Sequence, residues 1–217
     1  MVDAELLRYL EGFISEKRKQ RFLNILEKRT TYLTVAIEDV YQLHNTSAVI
    51  RSCEIFGIQK AHVIEGRFGN RLDKNIAMGA QQWVDIRRHK NMTRCITALK
   101  KSGYKIIATT PHNDSCYLND FKIQEKTAFL FGTEREGLSK EALANCDSFL
   151  KIPMAGFSES LNISVSAAII LQTLTERLRK TDLNWRLDDI EKLQKRLDWT
   201  KKSIKSIDDI LEHYHRK

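Results

Sequence analysis

The chain is poor in the residues that punctuate or staple a fold: two prolines and nine glycines among 217 residues. With no internal repeat or low-complexity tract, that scarcity sets aside collagen-like and disordered classes. Its four cysteines, Cys53, Cys95, Cys116 and Cys146, lie far apart, with no C-x-x-C pair and no histidine at metal-ligand spacing. A disulfide framework is thereby excluded, no metal is expected, and all four thiols are assigned to packing. No apolar run approaches the roughly 18 residues of a membrane span. The opening Met-Val-Asp-Ala-Glu lacks the basic and apolar regions of a signal peptide, so a cytoplasmic, reduced protein without membrane association is expected. Neither a P-loop nor a G-x-G-x-x-G fingerprint occurs.

What remains is a globular composition, 42% hydrophobic and 29% charged, with a net charge of +8. A basic balance attracts a polyanion without saying which. Residues 1–30 carry seven Lys/Arg against five Asp/Glu and residues 176–217 carry twelve against nine, so the two ends hold most of the excess. Such ends suit a phosphate backbone, whose contacts position without specifying. Solvated helix faces explain the same charges equally well.

Three segments follow from periodicity. In residues 1–30, Leu6, Leu7, Leu10 and Ile14, then Phe22, Ile25 and Leu26, recur at helical spacing, with Gly12 a break. Residues 31–180 alternate short strand-like runs (33–37, 61–64, 105–109, 128–131, 149–152) with helical stretches (46–56, 92–101, 139–146), which predicts an α/β domain with a mainly parallel sheet. A long helix from Val165 to about Lys180 closes this domain. Residues 181–217 form a second helical extension in which Leu193, Leu197, Thr200, Ile204, Ile207, Leu211 and Tyr214 trace a heptad seam. That stripe must be buried on its own chain or on a second subunit; the second is favoured slightly.

Three blocks carry candidate chemistry. The first, Asn45-Thr46-Ser47-Ala48-Val49-Ile50-Arg51-Ser52, follows a strand-like run, and by itself reads as a helix N-cap with Arg51 on the second turn. The second, Phe131-Gly132-Thr133-Glu134-Arg135-Glu136-Gly137-Leu138, ends an apolar strand with glycines that permit a tight turn or close approach to a ligand. The third runs from Ile152 to Val165 and gathers Gly156, Ser158, Ser160 and Asn162 just ahead of a helix, where a helix dipole is also available. Each alone has an ordinary capping or turn explanation.

In this order and at these separations, N-x5-R, F-G-x-E-x-x-G-L and I-P-M-x-G-x-x-x-S-L-N-x-S-V resemble the three motifs of the SpoU/TrmH methyltransferases of the SPOUT superfamily, over roughly residues 21–180. The resemblance implies a sheet whose C-terminal third is threaded into a trefoil knot, against the general rule of unknotted connections. It also implies a homodimer with the active site at its interface, and S-adenosyl-L-methionine as sole cofactor. Arg51 resembles the arginine that acts on the ribose 2′-hydroxyl, Asn45 its positioning partner, Glu134 the acid that holds the network together, and Ser160 and Asn162 the pair that orients arginine and substrate. Thr109, Gly132, Ile152, Met154 and Leu161 fall where the family grips the adenosine moiety.

Methyl transfer to a hydroxyl needs an oxygen held in line at about 3–3.5 Å from the methyl carbon. The first block has no histidine or carboxylate within the matching motif, and a guanidinium with a pKa above about 12 is a poor base. Arg51 is therefore expected to clamp the forming alkoxide, with proton loss to substrate phosphate or water.

Short helical extensions at both ends resemble family members that methylate the D-loop guanosine at tRNA position 18. Arg21 stands where those members contact tRNA, whereas Arg177 and Arg179 stand one place later than the family's arginines. Lys90 adds a candidate phosphate contact. A 2′-O-methyltransferase acting on ribosomal RNA or another tRNA position is the nearer alternative. A catalytically inactive RNA-binding module is the more distant one, disfavoured because Asn45, Arg51, Glu134, Ser160 and Asn162 are all present.

Overall fold

The computed structural model describes residues 3–38, 43–64, 79–111, 115–133 and 136–216. The described chain divides into two compact units, residues 30–185 and a second unit made of both ends, 1–29 and 186–217.

In the larger unit, β1 (Leu33–Glu38) is buried at every position, as a parallel strand covered on both faces must be. Leu33, Val35 and Ile37 enter one apolar cluster and Ala36 the other, because successive side chains of a strand point to opposite faces. Around it lie β2 (Lys60–Ile64), β3 (Asp85–His89), β4 (Lys105–Thr109), β5 (Cys116–Tyr117), β6 (Thr127–Phe131) and β7 (Ser148–Lys151). They form a seven-stranded sheet of order β3-β2-β1-β6-β4-β7-β5, parallel at every pairing. Helices α3 (Leu43–Phe56) and α6 (Ile163–Leu178) pack on each other and cover one face through Val49, Ile50, Cys53, Ala167, Ile170, Leu171 and Leu174. Helices α4 (Met92–Lys101) and α5 (Lys140–Asn145) cover the other through Met92, Cys95, Ile96, Leu99 and Ala142.

The expected strands and helices of residues 31–180 are present with ends shifted by up to three residues. Strands β3 and β5 were not anticipated. Asp-Ile-Arg-Arg-His has too little apolar content to read as a strand, but an edge strand paired on one side needs little, and charges there blunt further pairing. On that edge, Nδ1 of His62 lies 2.9 Å from Nε2 of His89. Burial, then the neighbouring His89, Arg87 and Lys60, pushes the His62 imidazole down to about 4, and burial with Arg87 lowers His89 as well. Packing accounts for the buried Cys53 and Cys95 and the half-buried Cys146, but Cys116 is exposed on the opposite edge strand, against expectation.

The smaller unit consists of α1 (Ala4–Glu11), α2 (Glu16–Leu26), α7 (Asp189–Ser203) and α8 (Ile207–His215). Helix α1 ends at Gly12 as anticipated, and α2 starts on the Ser15 side chain, which accepts from the Arg18 amide. The heptad stretch is two helices rather than one. It breaks at residues 204–206, where Ser206 adopts φ of 52°, a left-handed conformation that no helix interior tolerates. Its first half packs on the N-terminal helices of the same chain, α7 lying on α1 and α2. Trp199, 1% exposed, stands edge-on to Phe22 at 5.6 Å between ring centroids, and the buried Arg29 guanidinium lies 5.4 Å over the Trp199 ring. Arg196 grips the Glu11 carboxylate through two nitrogens, with Nη2 at 2.7 Å, and Lys192 holds Glu27 at 2.8 Å. No helix among the described residues is long and apolar enough to cross a membrane.

Because Trp199 fills the middle of this unit, Trp199→Ala should cost about 3–5 kcal/mol. The expected outcome is a lower midpoint of urea unfolding followed by far-ultraviolet circular dichroism, with helical signal lost first.

Candidate functional site

Ligand clefts in parallel sheets open beyond the carboxyl ends of the strands, where neighbouring connections diverge. The described residues form such a cleft, of about 360 Å³, at the ends of β4, β6 and β7. Its floor is apolar, with Phe131, Leu138, Leu143, Leu150 and Ile170, and its rim is polar, with Thr110, Thr133, Glu136, Lys151 and Ser166. All five residues expected to hold the cofactor line it, namely Thr109, Gly132, Ile152, Met154 and Leu161, together with Ser160.

The loop after β6 closes on itself. Thr133 and Gly137 exchange backbone hydrogen bonds of 2.9 and 3.0 Å. A Cβ on Gly132 would lie 2.1 Å from the Gly137 carbonyl carbon and 2.2 Å from the Leu138 nitrogen, so only glycine fits there. Gly137 takes φ of +69°, a conformation that favours glycine. The loop thus brings bare backbone to the cleft wall at Gly132 and Gly137.

Two further contacts hold this wall. The Thr109 hydroxyl donates to the Leu130 carbonyl at 2.7 Å, tying the ends of β4 and β6. Glu38, at the end of β1 and 7% exposed, accepts the Ser139 amide at 2.9 Å and so anchors the start of α5, where the glycine loop ends. The sequence reading missed Glu38. Its signal was an acid closing the otherwise apolar strand Leu-Thr-Val-Ala-Ile-Glu.

The first and third blocks meet. Nδ2 of Asn162 donates to Oδ1 of Asn45 at 3.1 Å, bridging α3 and the start of α6 across 117 positions of sequence. Asn162 also caps α6, its Oδ1 accepting from the Ser164 amide at 2.8 Å and from the Ser164 hydroxyl at 2.6 Å. Asn45 is not the N-cap that its block suggests. Helix α3 already begins at Leu43, and the buried Asn45 side chain reaches to a different element. Arg51 is exposed on α3 and does not line the cleft. Glu134 lies outside the described residues.

The expected RNA contacts separate. Arg21 and Lys90 are exposed, on α2 and just after β3. Arg177 turns inward and donates to the carbonyls of Leu118, at 3.0 Å, Asn119 and Phe121, bracing the segment after β5. Arg179 donates to the Phe56 carbonyl at 2.7 Å, at the end of α3.

Comparison with known proteins gives a consistent picture. The model of the SpoU rRNA Methylase family matches residues 32–172. A tRNA (guanosine(18)-2′-O)-methyltransferase of Borreliella burgdorferi is 40% identical over 91% of this chain and 90% of its own. One from Thermus thermophilus is 36% identical over 87% and 98%. Among solved structures, the Aquifex aeolicus TrmH/SpoU tRNA modifying enzyme superposes with a TM-score of 0.76 at 30% identity, covering 88% of this chain and 98% of that one.

The crowding at Gly132 makes a sharp expectation. Gly132→Ala must open the 133–137 turn and should cost about 2 kcal/mol or more, whereas Gly137→Ala, strained but uncrowded, should cost about 1–2 kcal/mol. Thermal unfolding of the two variants checks the order.

Proposed function

The chain belongs to the SpoU rRNA methylase family, and from that premise we propose that it is an S-adenosyl-L-methionine-dependent tRNA 2′-O-ribose methyltransferase acting on the D-loop guanosine at position 18. The observation that carries the reading is the Asn45–Asn162 bridge beside the glycine-walled cleft, which sets a ribose-handling block next to a cofactor-sized cavity. Relatives that share nearly the whole chain are named for that reaction, which supports guanosine 18 over ribosomal RNA.

The cleft fits the cofactor. Bare backbone at Gly132 and apolar walls at Ile152 and Leu161 would take the adenosine, and Thr109 and Met154 would border it. When bound, S-adenosyl-L-methionine supplies the methyl group. Asn162, fixed by Ser164 and by Asn45, orients the reacting ribose together with Ser160. Arg51 offers a bidentate donor to the developing alkoxide, the role of its family counterpart, and Glu134 takes the role of the acid that completes the network. Proton loss falls to substrate phosphate or water, since a guanidinium is too weak a base.

The order β6-β4-β7-β5 places strands out of chain sequence and supports a trefoil-knotted C-terminal third. Met154, Phe157, Leu161 and Val165 are exposed around the third block, Phe157 fully, which supports a homodimer built over this face. Arg21 and Lys90 serve as phosphate contacts on the tRNA, and the enzyme works in the cytoplasm, where that substrate is.

Mapping the methylated nucleotide on unmodified tRNA transcripts tests the reading. Methylation of guanosine 18 is expected; methyl groups placed outside the D-loop, or only on ribosomal RNA, refute it. Arg51→Ala should lower kcat by about 10²–10³ while leaving cofactor affinity unchanged by calorimetry. In Arg51→Lys, an unchanged kcat across the pH–rate profile would remove Arg51 from both basic and clamping roles.

A further inference from the structure

The covered edge of the sheet brings together three side chains that neither the methyl transfer nor RNA contact uses. His62 projects from β2, His89 ends β3, and Cys95 stands one turn into α4. Their ligand atoms lie within 4.8 Å of one another, with His62 and Cys95 buried and His89 half-buried. Two imidazole nitrogens and a sulfur converging from three separate elements form the donor set of a borderline-soft metal, unlike the oxygen-rich sets that take magnesium or calcium.

The ring geometry agrees. The His62 and His89 planes are inclined by only 16°, with centroids 5.1 Å apart and the facing nitrogens at 2.9 Å. Rings so disposed meet edge to edge, each facing nitrogen directed at the other in the plane of its ring. A tetrahedral ion with about 2.0–2.1 Å to nitrogen and about 2.3 Å to sulfur needs facing nitrogens roughly 3.3 Å apart. Binding therefore needs each ring to turn by roughly 35° so that the facing nitrogens converge on an ion beside the line between them, with the pair opening by a few tenths of an ångström and Cys95 rotating toward it. Charge is also accounted for: Lys60 and Arg87 lie close enough to act on His62, and Glu38 close enough to act on Cys95. A thiolate and a carboxylate would offset a divalent ion where the two cations oppose it.

We propose that His62, His89 and Cys95 form a binding site for a divalent metal ion of the zinc class, with water completing the coordination. Binding replaces the nitrogen–nitrogen hydrogen bond with two nitrogen–metal bonds, each ring carrying its proton on its other nitrogen. The Cys95 thiol loses its proton to solvent as the sulfur–metal bond forms, so one proton leaves per ion bound. The ion fastens edge strand β3 and helix α4 to β2, a clip at the sheet margin whose three ligands do not line the cleft.

Chelator-treated full-length protein titrated with Zn²⁺ tests this, by calorimetry in buffers of different ionisation enthalpy. One ion per chain is expected, with one proton released and affinity rising about tenfold per pH unit. Cys95→Ala and His89→Ala should each weaken binding by more than about tenfold. Zn²⁺ should raise the thermal midpoint of the parent protein and not of these variants. With Co²⁺ in place of zinc, a thiolate-to-metal charge-transfer band is expected in the parent and not in Cys95→Ala, which removes a single sulfur atom and keeps the fold should His89→Ala fail to fold. Absence of stoichiometric binding, equal affinity in all three proteins as the histidine-bearing C-terminus would give, or cobalt spectra without the thiolate band would each overturn the proposal.

Discussion

The pairing of β1 with β6 sets the terms for everything that follows. Both strands are buried at every position, and their register, Leu33 with Thr127 through Ile37 with Phe131, brings their carboxyl ends level at the middle of the sheet. One residue of slippage would carry each strand's apolar set to the wrong face. With the register held, Glu38 emerges beside the start of α5 and Gly132 leaves β6 directly into the cleft wall. The cleft owes its position to a strand pair that contributes only Phe131 to its lining.

From that level edge, chemistry is assembled by short-range constraints. The glycine loop is shaped by exclusion, since no side chain fits at Gly132. The third block is shaped by satisfaction, since Asn162 must both cap α6 and bond to Asn45. Such double duty fixes the amide's orientation, because its oxygen is taken by Ser164 and its nitrogen is directed at Asn45. The Asn162 amide is thereby held rigid between α3 and α6, and a polar group so held needs no reorganisation when charge develops beside it.

The margins follow a different logic. Arg177, with a basic side chain suited to RNA, is spent on the backbone carbonyls of Leu118, Asn119 and Phe121 in the segment after β5. The chain ends, which look like two separate extensions, are one helical unit joined by Trp199, Phe22 and the Arg196–Glu11 pair. At the β3 edge, two histidines and a cysteine replace the apolar contacts that a short charged strand cannot provide.

The sequence by itself determined the alternation of strands and helices and the parallel sheet, because hydrophobic period is local and survives in linear order, while the family, and with it the five cofactor residues that line the cleft, came from the resemblance of three separated motifs. Tertiary structure alone decided the rest. Asn45 became a bridge instead of a cap because α3 starts two residues earlier. The heptad stretch became two helices because Ser206 takes a left-handed conformation between them. Strand β3, and the pairing of its His89 with His62 of β2, escaped notice because edge strands need little apolar content and residues 27 positions apart are brought together only by the fold. A local pattern records what a residue can do, whereas its partner is set by which distant element the fold brings within about 3 Å.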